Sequence, residues 1–192
     1  MGYEIALGFP HYKLRSDLAR IDGMGIGSFG ISAGGTVANP YIKLRGNAGL
    51  FYSSANLPCS FDLHTASLLT NIYLLRPAKG RFHTFEPYAL AGVSYQQISF
   101  YGNYLDAGAT RNYSTTQEQF LGKNRSTQFL AGLGVEFQLE NDQQQFIHLF
   151  MEAAYGFSLS AHSSRDVFDQ THITQPYTFR LGISFGKIKH LR

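Results

Sequence analysis

The sequence predicts an all-β fold, an eight-stranded antiparallel up-and-down transmembrane β-barrel, with residues 1–192 forming a single domain. Three observations carry that expectation. Apolar residues alternate with small or polar ones along successive segments, which is the period of a strand and not of a helix. The connections between segments alternate long and short, as when tight turns gather at one end of a barrel and extended loops at the other. Finally, the bulky face of the alternation is too large for the narrow bore of an eight-stranded barrel, so it must point outward.

The first strand, 3–14, opens on the alternation Tyr3, Glu4, Ile5, Ala6, Leu7. It contains Pro10, and a bulge there explains why Tyr12 and Leu14 leave the parity of Tyr3. Four segments follow at 25–36, 41–52, 61–76 and 82–101. In the last two, Leu68-Leu69 and Tyr88-Ala89-Leu90-Ala91 fit either parity, so no face is assigned to them. The remaining three are regular. Phe129, Ala131, Leu133, Val135, Phe137 and Leu139 alternate with Gln128, Gly132, Gly134, Glu136 and Gln138. Ile147 through Leu159 stand against His148, Phe150, Glu152, Gly156 and Ser158, and Tyr177, Phe179, Leu181, Ile183 and Phe185 against Thr178, Arg180, Gly182 and Ser184. Short connections fall at Val37–Pro40, Pro77–Arg81 and Glu140–Gln145. Long ones follow the first strand, surround Cys59, and run from Gly102 to Arg125 and from Ala161 to Gln175.

A soluble ligand-carrying barrel would put the apolar face inside, but Phe129, Phe137, Tyr155, Phe157, Phe179 and Phe185 cannot all fit there. Strand length agrees with a membrane. From Phe129 to Leu139 the chain rises about 3.4 Å per residue, which a tilt of about 40–45° projects to about 25 Å, the height of the apolar band of an outer-membrane barrel. Aromatics near the strand ends, such as Tyr3, Phe9, Phe137, Tyr177 and Phe185, read as two interfacial girdles. Unpaired amides are costly in hydrocarbon, so the first and last strands must pair. No apolar run is long enough for a transmembrane helix. The 16 basic and 13 acidic residues are dispersed without a cationic run, so no nucleic-acid partner is expected. The lone Cys59 has no internal partner for a disulfide. Met1-Gly2 leads straight into the first strand, so the expectation is either a cytoplasmic protein or a mature chain whose export signal was replaced by Met1, and the barrel pattern favours the second.

Within this pattern Phe85-Glu86-Pro87-Tyr88, Ala91-Gly92-Val93-Ser94-Tyr95, Gly132-Leu133-Gly134-Val135 and the closing Phe179-Arg180-Leu181-Gly182-Ile183-Ser184-Phe185 stand out. Through them the chain resembles small bacterial outer-membrane β-barrel proteins of the OmpA, OmpX and OmpW type, over nearly its whole length. The resemblance implies a bacterial outer-membrane location with periplasmic termini and extracellular long loops. It departs from that pattern in continuing past Phe185 with Gly186-Lys187-Ile188-Lys189-His190-Leu191-Arg192.

The polar parity directs Glu4, Lys43, Arg45, Asn47, Glu86, Glu136, His148, Glu152 and Arg180 into the lumen. Ions there need partners, so a salt-bridged plug of side chains is expected in preference to a gate of exchanging partners. The turn at Val37–Pro40 sets Arg45 opposite Ser32, Lys43 opposite Gly34 and Asn47 opposite Gly30. The turn at Glu140–Gln145 brings Glu136 opposite His148, and closure puts Glu4 and Arg180 on adjacent strands. For catalysis, the only candidates are His162, Ser164 and Asp166, whose His-x-Ser spacing is similar to that of PagL-type lipid A deacylases; an ordinary exposed loop is the preferred reading. The histidines show no metal-ligand spacing, so neither metal nor cofactor is expected. Tyr104, Arg111, Tyr113, Lys123 and Arg125 of the longest loop are candidates for contact with outer-membrane lipids, lipopolysaccharide phosphates, or an extracellular or envelope protein. The chain reads as a monomeric, non-enzymatic barrel acting in envelope integrity, adhesion or surface binding. An OmpW-like conduit for small molecules is the alternative, with the lipid A hydrolase behind it.

Overall fold

The computed structural model describes residues 1–16, 21–39, 41–53, 59–75, 85–102, 119–142, 145–163 and 172–187. These form the strands β1 (Gly2–Ser16), β2 (Ile21–Gly27), β3 (Phe29–Ala38), β4 (Ile42–Ser53), β5 (Cys59–Tyr73), β6 (Phe85–Gly102), β7 (Gln119–Asp142), β8 (Gln145–Ser163) and β9 (His172–Lys187). All pairings are antiparallel between neighbours, and β9 returns to pair with β1, Tyr3 lying opposite Phe185. The sheet is closed.

β2 and β3 are one barrel strand interrupted at Ser28. Both pair with β1 in a continuous register, Gly27 opposite His11 and Gly30 opposite Gly8. The Ser28 amide donates to the Pro10 carbonyl at 2.9 Å and its hydroxyl to the same oxygen at 3.2 Å. Pro10 has no N–H to return, so the ladder breaks there and resumes. The barrel therefore has eight strands. The bulge expected at Pro10 comes a step later, between His11 and Lys13, and the extra residue is on β9, between Tyr177 and Thr174.

The period-two pattern rises from one elementary fact, that alternate side chains of a strand face opposite sides of the sheet. On β4 the alternation of buried and exposed residues is unbroken from Ile42 to Ser53. Tyr3, Ile5, Leu7 and Phe9 of β1 and Tyr177, Phe179, Leu181, Ile183 and Phe185 of β9 are exposed, while Glu4, Arg180 and Ser184 between them are buried. Outward-facing aromatics, exposed or half-buried, meet across strands at both ends: Tyr3 and Phe185 at 6.1 Å and Phe85 and Phe137 at 5.5 Å at one, Phe9 and Phe29 at 5.4 Å and Tyr155 and Tyr177 at 5.1 Å at the other. A closed sheet with ions inside and hydrocarbon side chains outside has its polarity arranged for lipid and not for water.

Three sequence expectations are corrected. The connection between β3 and β4 begins later, at Asn39, whose side-chain oxygen accepts from the amides of Tyr41 and Ile42, each at 2.8 Å. Val37 and Ala38 thus stay in the strand, and Arg45 faces Thr36, Lys43 faces Ala38 and Asn47 faces Gly34. The displacement is an even number of residues, so every face is kept. On β7 and β8 an irregularity between Gln138 and Glu140 places Gln138 opposite His148, and Glu136 opposite Phe150.

Connection lengths also differ from expectation. β6, β7 and β8 contain 18, 24 and 19 residues, well beyond the roughly 9–11 that cross a bilayer. They continue as paired ribbons into what the alternation assigns to loops, leaving only 17–20, 54–58, 103–118 and 164–171 between strands at that end. At the opposite end 74–84 separates β5 from β6, so the simple long and short rhythm fails. Toward that end outward residues such as Gln97 and Arg125 and buried inward ones such as Gln96, Asn124 and Ser126 are alike polar, so the apolar parity that reports a strand fades while backbone pairing goes on.

Not all bulk faces outward. Phe51, Phe61, Leu63, Leu69, Tyr73, Tyr88, Leu90, Ile98, Leu130 and Phe150 are buried in the lumen. Glycines make the room. Phe51 lies where a Cβ on Gly8 or Gly49 would stand, Tyr88 covers Gly134, and Phe150 covers Gly182.

Candidate functional site: the luminal ion network

Every barrel strand sends a side chain into one buried polar layer. Arg45 on β4 donates to Glu152 on β8 at 2.8 Å, and these strands stand diametrically opposite in the eight-strand order. Arg180 on β9 donates to the other oxygen of Glu152 at 2.8 Å, to Glu4 on β1 at 3.3 Å and to the Ser32 hydroxyl on β3 at 3.0 Å. Arg45 reaches the same Glu4 oxygen at 3.5 Å. Two guanidiniums and two carboxylates thus form a ring, flanked by aromatics. The Phe150 ring centroid is 5.6 Å from the Arg45 guanidinium and 5.8 Å from that of Arg180, and the Tyr88 hydroxyl donates to Glu152 at 2.9 Å.

A second cluster adjoins it. Lys43 donates to Glu136 at 2.7 Å and to the Ser184 hydroxyl at 3.0 Å. The Tyr73 hydroxyl donates to the other Glu136 oxygen at 2.9 Å, and His148 Nδ1 lies 3.1 Å from that oxygen. Tyr73 and Tyr88 are directly opposite on β5 and β6, in edge contact at 5.7 Å, and join the two clusters. Glu86 is the cross-strand partner of Glu136.

Glu4, Lys43, Arg45, Asn47, Glu86, Glu136, His148, Glu152 and Arg180 are all buried. Glu4 and Arg180 sit on adjacent strands, as closure requires. Sequence reasoning missed Tyr73, Tyr88 and Phe150 as members of the layer. Phe150 shares the parity of His148 and Glu152, which was the available signal. It also missed that Glu86, Glu136 and His148 bring three possible metal-ligand atoms within 4.8 Å of one another from three strands. Among the described residues, the buried acidic side chains are Glu4, Glu86, Glu136 and Glu152, and the buried Lys and Arg side chains are Lys43, Arg45 and Arg180.

Beyond the ion layer the lumen narrows to a cavity of about 50 Å³, bordered by Asn47, Phe51, Leu69, Leu90, Leu130 and Arg180 among others. That is room for a few water molecules, not for an organic ligand. The Asn47 amide nitrogen and oxygen have no protein hydrogen-bond partner among the described residues.

Of the loop candidates, Lys123 and Arg125 are on β7 and not in a loop, Lys123 half-buried and Arg125 exposed. Tyr104, Arg111 and Tyr113 lie outside the described residues. His162 is exposed near the end of β8, opposite Arg125. Ser164 and Asp166 also lie outside the described residues.

No protein-family model matches the chain, and no curated protein matches it. Among solved structures it is similar to the outer membrane protein OprG of Pseudomonas aeruginosa, at 13% identity over 98% of this chain and 97% of that one, with a TM-score of 0.47. A major outer membrane protein of Thermus thermophilus matches at 14% identity over 96% and 99%, TM-score 0.46. The N-terminal β-barrel domain of P. aeruginosa OprF matches at 13% identity over 94% and 96%, TM-score 0.43.

Proposed function

We propose that this chain is a non-enzymatic, monomeric barrel of a bacterial outer membrane, plugged by its own side chains, which acts in envelope integrity, adhesion or surface binding through the end carrying the extended strands and loops. Its termini, at the end opposite the extended strands, are periplasmic, and the extended end faces outward. The observation that carries this reading is the Arg45 to Glu152 bridge across opposite walls, flanked by Glu4, Arg180 and the Lys43–Glu136 pair. A barrel tied together through its centre favours a scaffold over a channel, because parting a bridge while either ion stays buried strands an uncompensated charge at a cost of about 3–5 kcal/mol.

The test is conductance of the purified protein in planar lipid bilayers. The scaffold reading expects no steady conductance of porin size, and replacement of residues 104–122 by a short Gly-Ser linker to abolish surface binding while the barrel still folds. A stable large conductance, or undiminished binding after the replacement, would contradict it. The apolar residues Phe51, Leu69, Leu90 and Leu130 bordering the cavity are the feature an OmpW-like conduit would use, but a space of about 50 Å³ favours filling over transport.

A further inference from the structure

The outward face of β5 to β8 changes character abruptly toward the extended end. Leu68, Val93, Phe129 and Phe157 stand directly opposite one another across the four strands, and all are exposed. One pair of residues further along the row reads Ala66, Tyr95, Thr127 and Ser160. The next reads His64, Gln97, Arg125 and His162, again in unbroken register. His64, Arg125 and His162 are exposed and Gln97 is half-buried. Lys123, one pair beyond Arg125, shares this face, as does Asp62 on the far strand, opposite Ser99.

The last member of the row depends on a local irregularity. Between Thr127 and Gln128 the β7–β8 register slips, Gln128 facing Ser158 and Thr127 facing Ser160, so Leu159 is an extra residue on β8. Without it His162 would point into the lumen. The bulge turns an imidazole outward beside Arg125, where side chains on directly paired residues lie about 4.5–5.5 Å apart at Cβ.

Height decides what this row meets. From Phe129 to Arg125 the strand climbs roughly 10 Å along the barrel axis, at about 3.4 Å per residue and a tilt of about 40–45°. That carries Arg125 from the apolar band past the interfacial Tyr95 to the level of lipid headgroups. Because strands tilt, the row crosses that layer obliquely.

We propose that His64, Gln97, Arg125 and His162, with Lys123, form an outward-facing strip that binds the phosphate of lipid A-type glycolipids in the leaflet at the extended end. The inference rests on the outer-membrane reading above and gives it a specific lipid contact. The Arg125 guanidinium offers a planar fork to phosphate oxygens, the Gln97 amide and the two imidazoles add donors, and Lys123 adds a point charge. The acyl chains of the same lipid lie along Leu68, Val93, Phe129 and Phe157. Phosphate and hydrocarbon are thus recognised by consecutive rows of one sheet face, in the order in which a lipid presents them.

The experiment uses the full chain folded in detergent micelles and native mass spectrometry to count retained lipid. The probes are bisphosphorylated lipid A and the same lipid A with its phosphates removed. The wild-type protein is expected to retain the phosphorylated form at least tenfold better. R125Q/H162Q should lose most of that preference and R125K, which keeps the charge but not the planar fork, should keep only part of it, with folding of each checked by its heat-dependent electrophoretic shift. Equal retention of the two lipids by the wild type, or an unchanged preference in R125Q/H162Q, would overturn the strip. Displacement of the lipid by millimolar inorganic phosphate would show a soluble-anion site instead and would equally overturn it. Insertion into vesicles of phosphatidylcholine, measured separately, separates the two claims: failure to insert defeats the outer-membrane reading, whereas insertion without phosphate preference defeats the strip alone.

Discussion

Arg45 is the residue on which the luminal network turns. It is fully buried between Glu4 and Glu152 and stacked on Phe150, so each of its neighbours depends on its charge. Arg45→Met leaves two carboxylates buried with Arg180 as their remaining cation, and is expected to lower the stability of the barrel in vesicles, measured by urea titration, by about 3–5 kcal/mol. Adding Glu152→Gln removes the stranded charge and should recover a substantial part of that loss. A single variant as stable as the wild type would mean the ring is not what holds opposite walls together. At this scale the sequence was informative about which ions face inward, since alternation alone separates Glu4 from Ile5 and Arg180 from Leu181. It could not reveal which ion meets which. Arg45 and Glu152 are joined by the closure of the whole sheet, and nothing local to either residue encodes that.

Along each strand, glycine placement decides how much bulk the bore can accept. A Cβ on Gly182 would collide with the Phe150 ring, at 2.6 Å, and with the Ala6 side chain, whereas one on Gly46 would meet nothing within 4 Å. Gly182→Val is therefore expected to destabilise the barrel by about 1–3 kcal/mol through overpacking, and Gly46→Val to change stability by less than about 0.5 kcal/mol. Urea titration of both variants in the same vesicles checks the contrast; equal effects would contradict it. Faces on β7, β8 and β9 were legible because large residues recur at every second position there. On β5 and β6 they were not, since Leu69 and Tyr88 face inward over space left by Gly92 and Gly134, and Leu90 is buried beside them. Strand ends were illegible for a different reason: toward the extended end outward Gln97 and Arg125 and inward Gln96 and Ser126 are alike polar, and the bulge at Leu159 has no sequence mark. Asn39, by contrast, could have located its turn, because its side chain caps the amides of Tyr41 and Ile42.

As a whole the molecule is a tube with its polarity reversed, hydrocarbon on the outside and ions enclosed. The scaffold reading, the closed conductance and the phosphate strip all follow from that arrangement, because each depends on where the lipid begins and ends. The most direct test attaches a small environment-sensitive fluorophore at single cysteines, in a Cys59→Ser background, in the protein reconstituted into vesicles. Leu133→Cys and Leu181→Cys, both on the exposed face, should place the label in the bilayer. Their fluorescence is expected to be quenched strongly by lipids brominated on the acyl chains and weakly by iodide in the surrounding water. Efficient quenching by iodide at both positions, with no response to brominated lipid, would contradict a membrane-spanning barrel.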